Sequence, residues 1–272
     1  VTSRREQSIT YAVLGAFSLL AILPIVGILL TAVQDQGELA AFGTFNGFDP
    51  GNFADAWRDG NFGTYLRSSA IVTVAVVVAA VLLSILAGYA FGLMRFRGSE
   101  LLFYVFLLGL MIPTEAIIVP LYYDFRDIGL VDTYWALILP QIGTSVAFGT
   151  FWMRAYFRSV PRSLVEAARI DGASSWFTLW RVLLPLAKPA VLTMTVLLAM
   201  WTWNEFLLAL VMVTDEGLRT APLGLSFFQG RNTSNLTLLA AGAVIVATPV
   251  VVLYVFLQRH FIRGMLSGAV KG

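Results

Sequence analysis

Residues 163–189 read SLVEAARIDGASSWFTLWRVLLPLAKP, and the rest of the chain is organised around them. The stretch lies between two apolar runs, yet it is too charged and too interrupted to cross a bilayer itself. Its residues predict two short helices with a sharp break between them. Ser163, followed three residues later by Glu166, fits a capping box in which hydroxyl and carboxylate satisfy free backbone donors. Gly172 takes the left-handed conformation that ends a helix at little cost. Ser174 or Ser175 then caps a second helix, which Pro185 and Pro189 end or bend. The expectation is a compact helical bracket held outside the membrane.

The remainder of the chain is apolar enough to cross that membrane. Of 272 residues, 58% are hydrophobic and 12% charged, and the mean hydropathy is +0.80. Soluble domains carry about 25% charged residues, so this composition defines a membrane protein. With no cysteine there is no disulfide framework, thiol nucleophile or thiolate metal site. A single histidine, His260, excludes any motif that needs two. No G-x-x-x-x-G-K-[ST] loop is present, so the chain does not bind nucleotide in that manner.

Six charge-poor runs, residues 7–34, 68–94, 101–121, 133–153, 190–214 and 232–258, are each long enough to span, since about 20 apolar residues cross the hydrocarbon core. Backbone in lipid must bond to itself, so each run is expected to be helical and the chain all-α. The first run, with Pro24 as a bend, reads as a retained helix; a signal peptide is the alternative, but no small-residue cleavage site follows it. Residues 35–67 read as an extended external loop. Gly88 and Gly92 have the G-x-x-x-G spacing that lets helices pack closely in lipid. With the N-terminus inside, 13 basic residues face the cytoplasm and five (Arg58, Arg67, Arg126, Arg219 and Arg231) face outward. The positive-inside rule therefore places both termini and the bracket in the cytoplasm.

Two carboxylates fall inside expected spans, where charge is costly and faces a polar interior. Glu115 follows the helix-breaking Pro113. Glu205 sits in the run Trp201, Thr202, Trp203, Asn204, Glu205, Phe206, whose aromatic faces and polar groups suit a sugar. The alternative is that Asn204 and Glu205 bond a neighbouring helix while the tryptophans pack or lie at the interface. A secondary transporter driven by ions through Glu115 and Glu205 would show two related halves with paired broken helices, and no such repeat is visible. An intramembrane enzyme would need a nucleophile–base or metal constellation, which this composition does not supply.

Glu166, Ala167 and Ala168, then Gly172 after three residues, Val182 after nine more, and Leu184 and Pro185 resemble the EAA loop of the membrane-spanning subunits of bacterial ATP-binding-cassette importers. The usual pattern has isoleucine where Val182 stands. Trp203 to Phe206 and the stretch from Pro120 through Asp132 to Pro140 are similar to the carbohydrate-uptake subgroup of these permeases, and the ending from Gln258 through Gly268 and Lys271 to Gly272 resembles its MalG-like half.

The resemblance implies a type I importer permease (MetI-like) fold of six transmembrane helices. It implies one permease domain over residues 1–272, with a cytoplasmic coupling loop at about 159–188 and a cytoplasmic tail at about 259–272. It implies that Glu166, Ala167, Ala168, Asp171, Gly172, Val182, Leu184 and Pro185 couple to an ATPase, and that Gly268 and Lys271 of the tail reach that interface. A solvated basic tail on anionic lipid is the other reading of the latter pair. Glu115, Trp201, Trp203, Asn204 and Glu205 become candidates for the substrate path. The implied partners are a second, MalF-like permease, a dimer of ATP-binding subunits, an extracellular solute-binding protein and membrane lipid, with no nucleic acid. No cofactor or metal is expected on this chain; ATP and magnesium belong to the partner ATPase. The implied solute is a di- or oligosaccharide, a polyol or a glycerophosphate compound, imported across the bacterial inner membrane.

Overall fold

A computed structural model describes residues 4–35, 47–228 and 235–269, and every ordered element among them is helical. In chain order these are α1 (Arg4–Ala32), α2 (Asn52–Asp59), α3 (Phe62–Leu93), α4 (Ser99–Met111), α5 (Thr114–Asp127), α6 (Tyr134–Ser159) and α7 (Arg162–Ile170). There follow α8 (Ser175–Phe177), a π turn (Thr178–Leu183), α9 (Leu184–Trp203), α10 (Leu207–Met212), α11 (Ala221–Gly224) and α12 (Leu236–Ala269). Five helical segments are long and apolar enough to span: Glu6–Ala32, Phe62–Leu93, Tyr134–Ser159, Ser175–Trp203 and Leu236–Gln258. The third expected run falls on the pair α4 and α5, which passes the same test only jointly and is bent by 94° at the junction. Ile112 and Pro113 occupy that junction in extended conformation, because proline disfavours helix in the residue before it.

The chain forms two compact units. The first joins Val1–Gly63 to Leu223–Pro249. Here the expected external loop proves partly ordered. Asn52, fully buried, donates to the carbonyls of Gln34 and Asp49 at 2.7 Å each, which fixes the start of α2. Phe62 is buried and stacks on Phe228 at 6.1 Å. Along α1, by contrast, the most apolar window contains no buried residue.

The second unit joins Thr64–Pro222 to Val250–Gly272. Its core is built from Val77, Ala80, Ile85 and Tyr89 of α3, Met153 and Phe157 of α6, Leu179 and Leu183 of the π turn, and Ala187, Met194 and Leu198 of α9. Lipid is as apolar as leucine, so helices in it associate through close packing rather than burial from water. The glycine pair of α3 does this work. A Cβ on Gly88 would stand 2.5 Å from the Met153 Cβ, and one on Gly92 3.0 Å from the Phe157 Cβ.

The loops before α6 and after α10 are tied through Asp132, whose φ of 60° is left-handed. Its carboxylate accepts from the Thr214 and Asp215 backbone N–H groups at 2.6 and 2.8 Å and from the Thr214 hydroxyl. The Thr214 hydroxyl, with the backbone bonds, holds this carboxyl below its ordinary value of 3.8. A depressed folded-state pKa contributes stability that is present above the unfolded value and lost as pH falls through the folded one. Asp132→Asn is therefore expected to lower thermal stability in detergent at neutral pH, with the gap from wild type closing as the pH drops below 3.8. A gap that does not change with pH would show that the charge contributes nothing.

Candidate functional site

The bracket is a helix, a sharp turn and a second helix, but its chemistry differs in part from expectation. No capping box forms. α7 starts at Arg162 behind Pro161, and no side chain caps it. Proline lacks an N–H and presets φ for a helical start, so it sets the boundary ahead of Ser163. The C-terminal end is as expected. Gly172 has φ +78°, the Gly172 N–H donates to the Arg169 carbonyl at 3.0 Å, and the Ala173 N–H donates to the Ala168 carbonyl at 2.9 Å. That pair of bonds is a Schellman motif. Ser174 Oγ then accepts from the Phe177 N–H at 3.2 Å and caps the next helix.

Of the two outcomes open at Pro185 and Pro189, an end or a bend, the end does not occur. Helix runs unbroken from Ser175 to Trp203, so the second arm of the bracket is continuous with the fifth expected span. Pro185 cannot donate to the carbonyl four residues before it, and the wider π turn over Thr178–Leu183 lies directly ahead of it. Leu179 and Leu183, at 1% and 0% exposure, pin this turn in the core. Val182 is half-buried on it; Leu184, half-buried, and Pro185, exposed, open α9.

Around Gly172 the surface is open. Ala168 faces the core, whereas Glu166, Ala167, Asp171 and Gly172 are exposed. Glu166 lines a groove of about 1230 Å³ with Arg95, Arg97, Arg158, Arg162 and Arg169. No ion pair holds Glu166 among the described residues. Three large apolar side chains crowd the same tip: Ile170, Trp176 and Phe177 are 85%, 64% and 53% exposed. The motif drew attention to its charged and small residues, and these three went unnoticed. Their signal was present as bulky apolar residues within an otherwise polar segment.

The second feature is a cavity of about 360 Å³ beside the α4–α5 junction. Thr114, Gln141, Thr144, Phe148, Trp201 and Glu205 are among its walls. Trp201 meets Phe148 edge to face at 4.7 Å, so an aromatic surface stands among hydroxyl, amide and carboxylate groups. Of the five residues singled out in sequence for a substrate path, Trp201 and Glu205 line it. Trp203 is half-buried elsewhere, exposed Asn204 donates to the Met200 carbonyl at 2.8 Å, and exposed Glu115 lies in the first turn of α5. The helix of the fifth expected run is broken at Glu205. α9 stops at Trp203, and Glu205 Oε1 accepts from the Leu208 N–H at 2.9 Å in the break before α10. Gln141 and Thr144 were missed, being ordinary polar residues of a long helix.

Gly268 falls near the end of α12, and Lys271 lies outside the described residues. Among the described residues no cluster of three or more His, Asp or Glu side chains forms a metal site.

Comparison with known proteins follows the same line. Residues 80–267 match the family described as "Binding-protein-dependent transport system inner membrane component". The chain is 35% identical over 92% of its length to the probable ABC transporter permease protein YurM of Bacillus subtilis, covering 83% of that protein. It is 34% identical to the arabinooligosaccharides transport system permease protein AraQ of Halalkalibacterium halodurans, over 93% of this chain and 92% of that one. In the crystal structure of a bacterial ABC transporter involved in the import of the acidic polysaccharide alginate, one chain superposes with a TM-score of 0.81 at 26% identity, covering 96% of this chain and 99% of that one. A multi-pass membrane protein of this helical architecture is an ABC importer permease in class. The chain belongs to the binding-protein-dependent transport system inner membrane component family.

Proposed function

We propose that this chain is one of two permease subunits of a sugar importer, and that its 172-centred tip couples the pore to a separate ATP-hydrolysing subunit. The observation that carries this reading is the tip itself. A rigid Schellman turn presents Ile170, Trp176 and Phe177 to solvent beside the unpaired carboxylate of Glu166. Exposed aromatic and aliphatic side chains around a charged group are the composition of an interface core. On this reading residues 1–272 act as one permease domain, with both termini and the tip in the cytoplasm beside the ATPase. Glu166 makes a polar contact with that subunit, while Ala167, Ala168 and Asp171 shape the docking helix. Val182, Leu184 and Pro185 set the wider turn behind it, and Gly268 and Lys271 extend the same contact from the tail. ATP and magnesium are bound by the partner.

A di- or oligosaccharide is the solute class we assign. The relative AraQ is named for arabinooligosaccharides, and Trp201 with Phe148 beside Gln141, Thr144 and Glu205 offers stacking and hydrogen bonding together. Delivery from outside falls to a binding protein, a reading supported by the family's description as binding-protein-dependent.

The chain contains no cysteine, so a single introduced thiol is unique. Ala173→Cys carrying a photoreactive label, in membranes of the native host, is expected to cross-link to an ATP-binding subunit. Cross-links formed with lipid alone would place the tip away from any such partner.

A further inference from the structure

We infer that Glu100, Arg154 and Arg158 form a strut that carries movement of α7 to the α4–α5 junction, which makes Arg154 and Glu100 positioning residues for transport. The inference rests on the permease reading above and adds a route from the tip to the cavity.

Arg154 is held from every side. Its Nη2 donates to both oxygens of Glu100, at 3.0 and 2.8 Å, and its Nε donates to the Phe91 carbonyl at 3.3 Å. Its guanidinium lies 3.6 Å from the centroid of the Phe103 ring. One turn further along α6, Arg158 Nη2 reaches Glu100 Oε1 at 2.5 Å. Exposed ion pairs contribute little. Here, however, the Arg154 side chain is only 12% exposed, and one carboxylate is shared by two guanidinium groups. Charge-assisted bonds of this kind fix direction as well as distance. Two arginines a turn apart on α6 grip the first turn of α4 and oppose rotation of either helix.

The neighbouring contacts give the strut its reach. Only Val160 and Pro161 separate α6 from α7, so displacement of α7 acts directly on the helix end bearing Arg154 and Arg158. α3 is locked to the same end through Gly88 and Gly92 against Met153 and Phe157. α4 runs along α6 and meets it again near its other end, where a Cβ on Gly109 would lie 3.6 Å from that of Ala147. Three residues later comes the junction at Ile112 and Pro113, a wall of the cavity. Coupling between sites travels through contiguous packed elements of this kind. Without Glu100 the start of α4 loses its ion pairs to α6 and keeps the Arg154–Phe103 ring contact and apolar packing.

The test uses the whole importer, this chain with its co-purifying subunits, in lipid nanodiscs. Spin labels are placed at Met111→Cys on α4 and Ser163→Cys on α7, and distances are measured without nucleotide and after trapping with ATP, magnesium and vanadate. With Glu100 intact, a single narrow distance is expected in both states, because α4 and α7 move as one body. In Glu100→Gln the nucleotide-free distance is expected to match that background, while the trapped distribution broadens about two-fold as α7 moves without α4. A purely structural role would alter both states alike. The double exchange Glu100→Arg with Arg154→Glu is expected to narrow the trapped distribution again, and Arg158→Gln, which leaves Arg154 on Glu100, to broaden it less. A trapped Glu100→Gln distribution as narrow as the background, or a background distance that itself shifts on trapping, overturns the strut. An intact chain that retains no vanadate and no ATPase overturns the permease reading beneath it, a result distinct from either.

Discussion

Gly172→Val is expected to remove most solute uptake while leaving the chain folded in the membrane. Gly172 has φ +78° and nothing within 4 Å of where a Cβ would stand, so the penalty comes from the backbone rather than from collision. A residue with a Cβ in the left-handed region costs roughly 1–2 kcal/mol, and a β-branched side chain is a worse case. That strain shifts the turn away from its docked form by about 5- to 30-fold. The Ala173-to-Ala168 bond opens with it, and Trp176 and Phe177 lose their position relative to Ile170. Uptake by membrane vesicles, normalised to the amount of chain inserted, reads the effect directly. Wild-type uptake would mean that the tip does not need this turn.

Glu166→Ala is expected to separate assembly from coupling. The carboxylate is exposed and has no ion-pair partner among the described residues, so its removal costs α7 nothing evident. An interfacial charge that pairs with a partner is worth on the order of 2 kcal/mol or more, or about 30-fold in the docked population. ATP hydrolysis stimulated by the loaded binding protein should fall by about that factor, while the subunits still co-purify. Equal stimulation in variant and wild type would deny Glu166 its role.

What the sequence revealed, and what it hid, divides along physical lines. Local backbone rules were legible. The left-handed Gly172, the Ser174 cap and the close glycine pair of α3 each follow from a residue and its immediate neighbours. Prolines were legible only in part: Pro113 breaks a helix as expected, whereas at Pro185 and Pro189 the sequence left an end and a bend equally open. Pro185 and Pro189 sit inside a continuous helix, with a π turn directly ahead of Pro185 that is anchored by Leu179 and Leu183. At Asn204 and Glu205 an apolar run hid a helix end. Ordered structure in α2 depended on Asn52 reaching Gln34, 18 residues back. The Arg154–Glu100 contact spans 54 residues, and no periodicity encodes it.

At the cavity beside the α4–α5 junction, the sequence did not show which residues share a wall. A run of tryptophan, asparagine and glutamate suits a sugar, yet a helix shows only part of itself to any one space. Trp201 and Glu205 share a wall with Gln141 and Thr144 of α6, while Trp203 and Asn204 turn elsewhere.

The central claim is that this chain transports only as part of an ATP-driven assembly. Purification from its native host in mild detergent, followed by mass spectrometry of everything retained, tests it most directly. The account predicts recovery of an ATP-binding subunit and a second permease bearing its own EAA loop, with a solute-binding protein when sugar is present. Recovery of this chain alone, in a form that still moves solute after reconstitution, would contradict it.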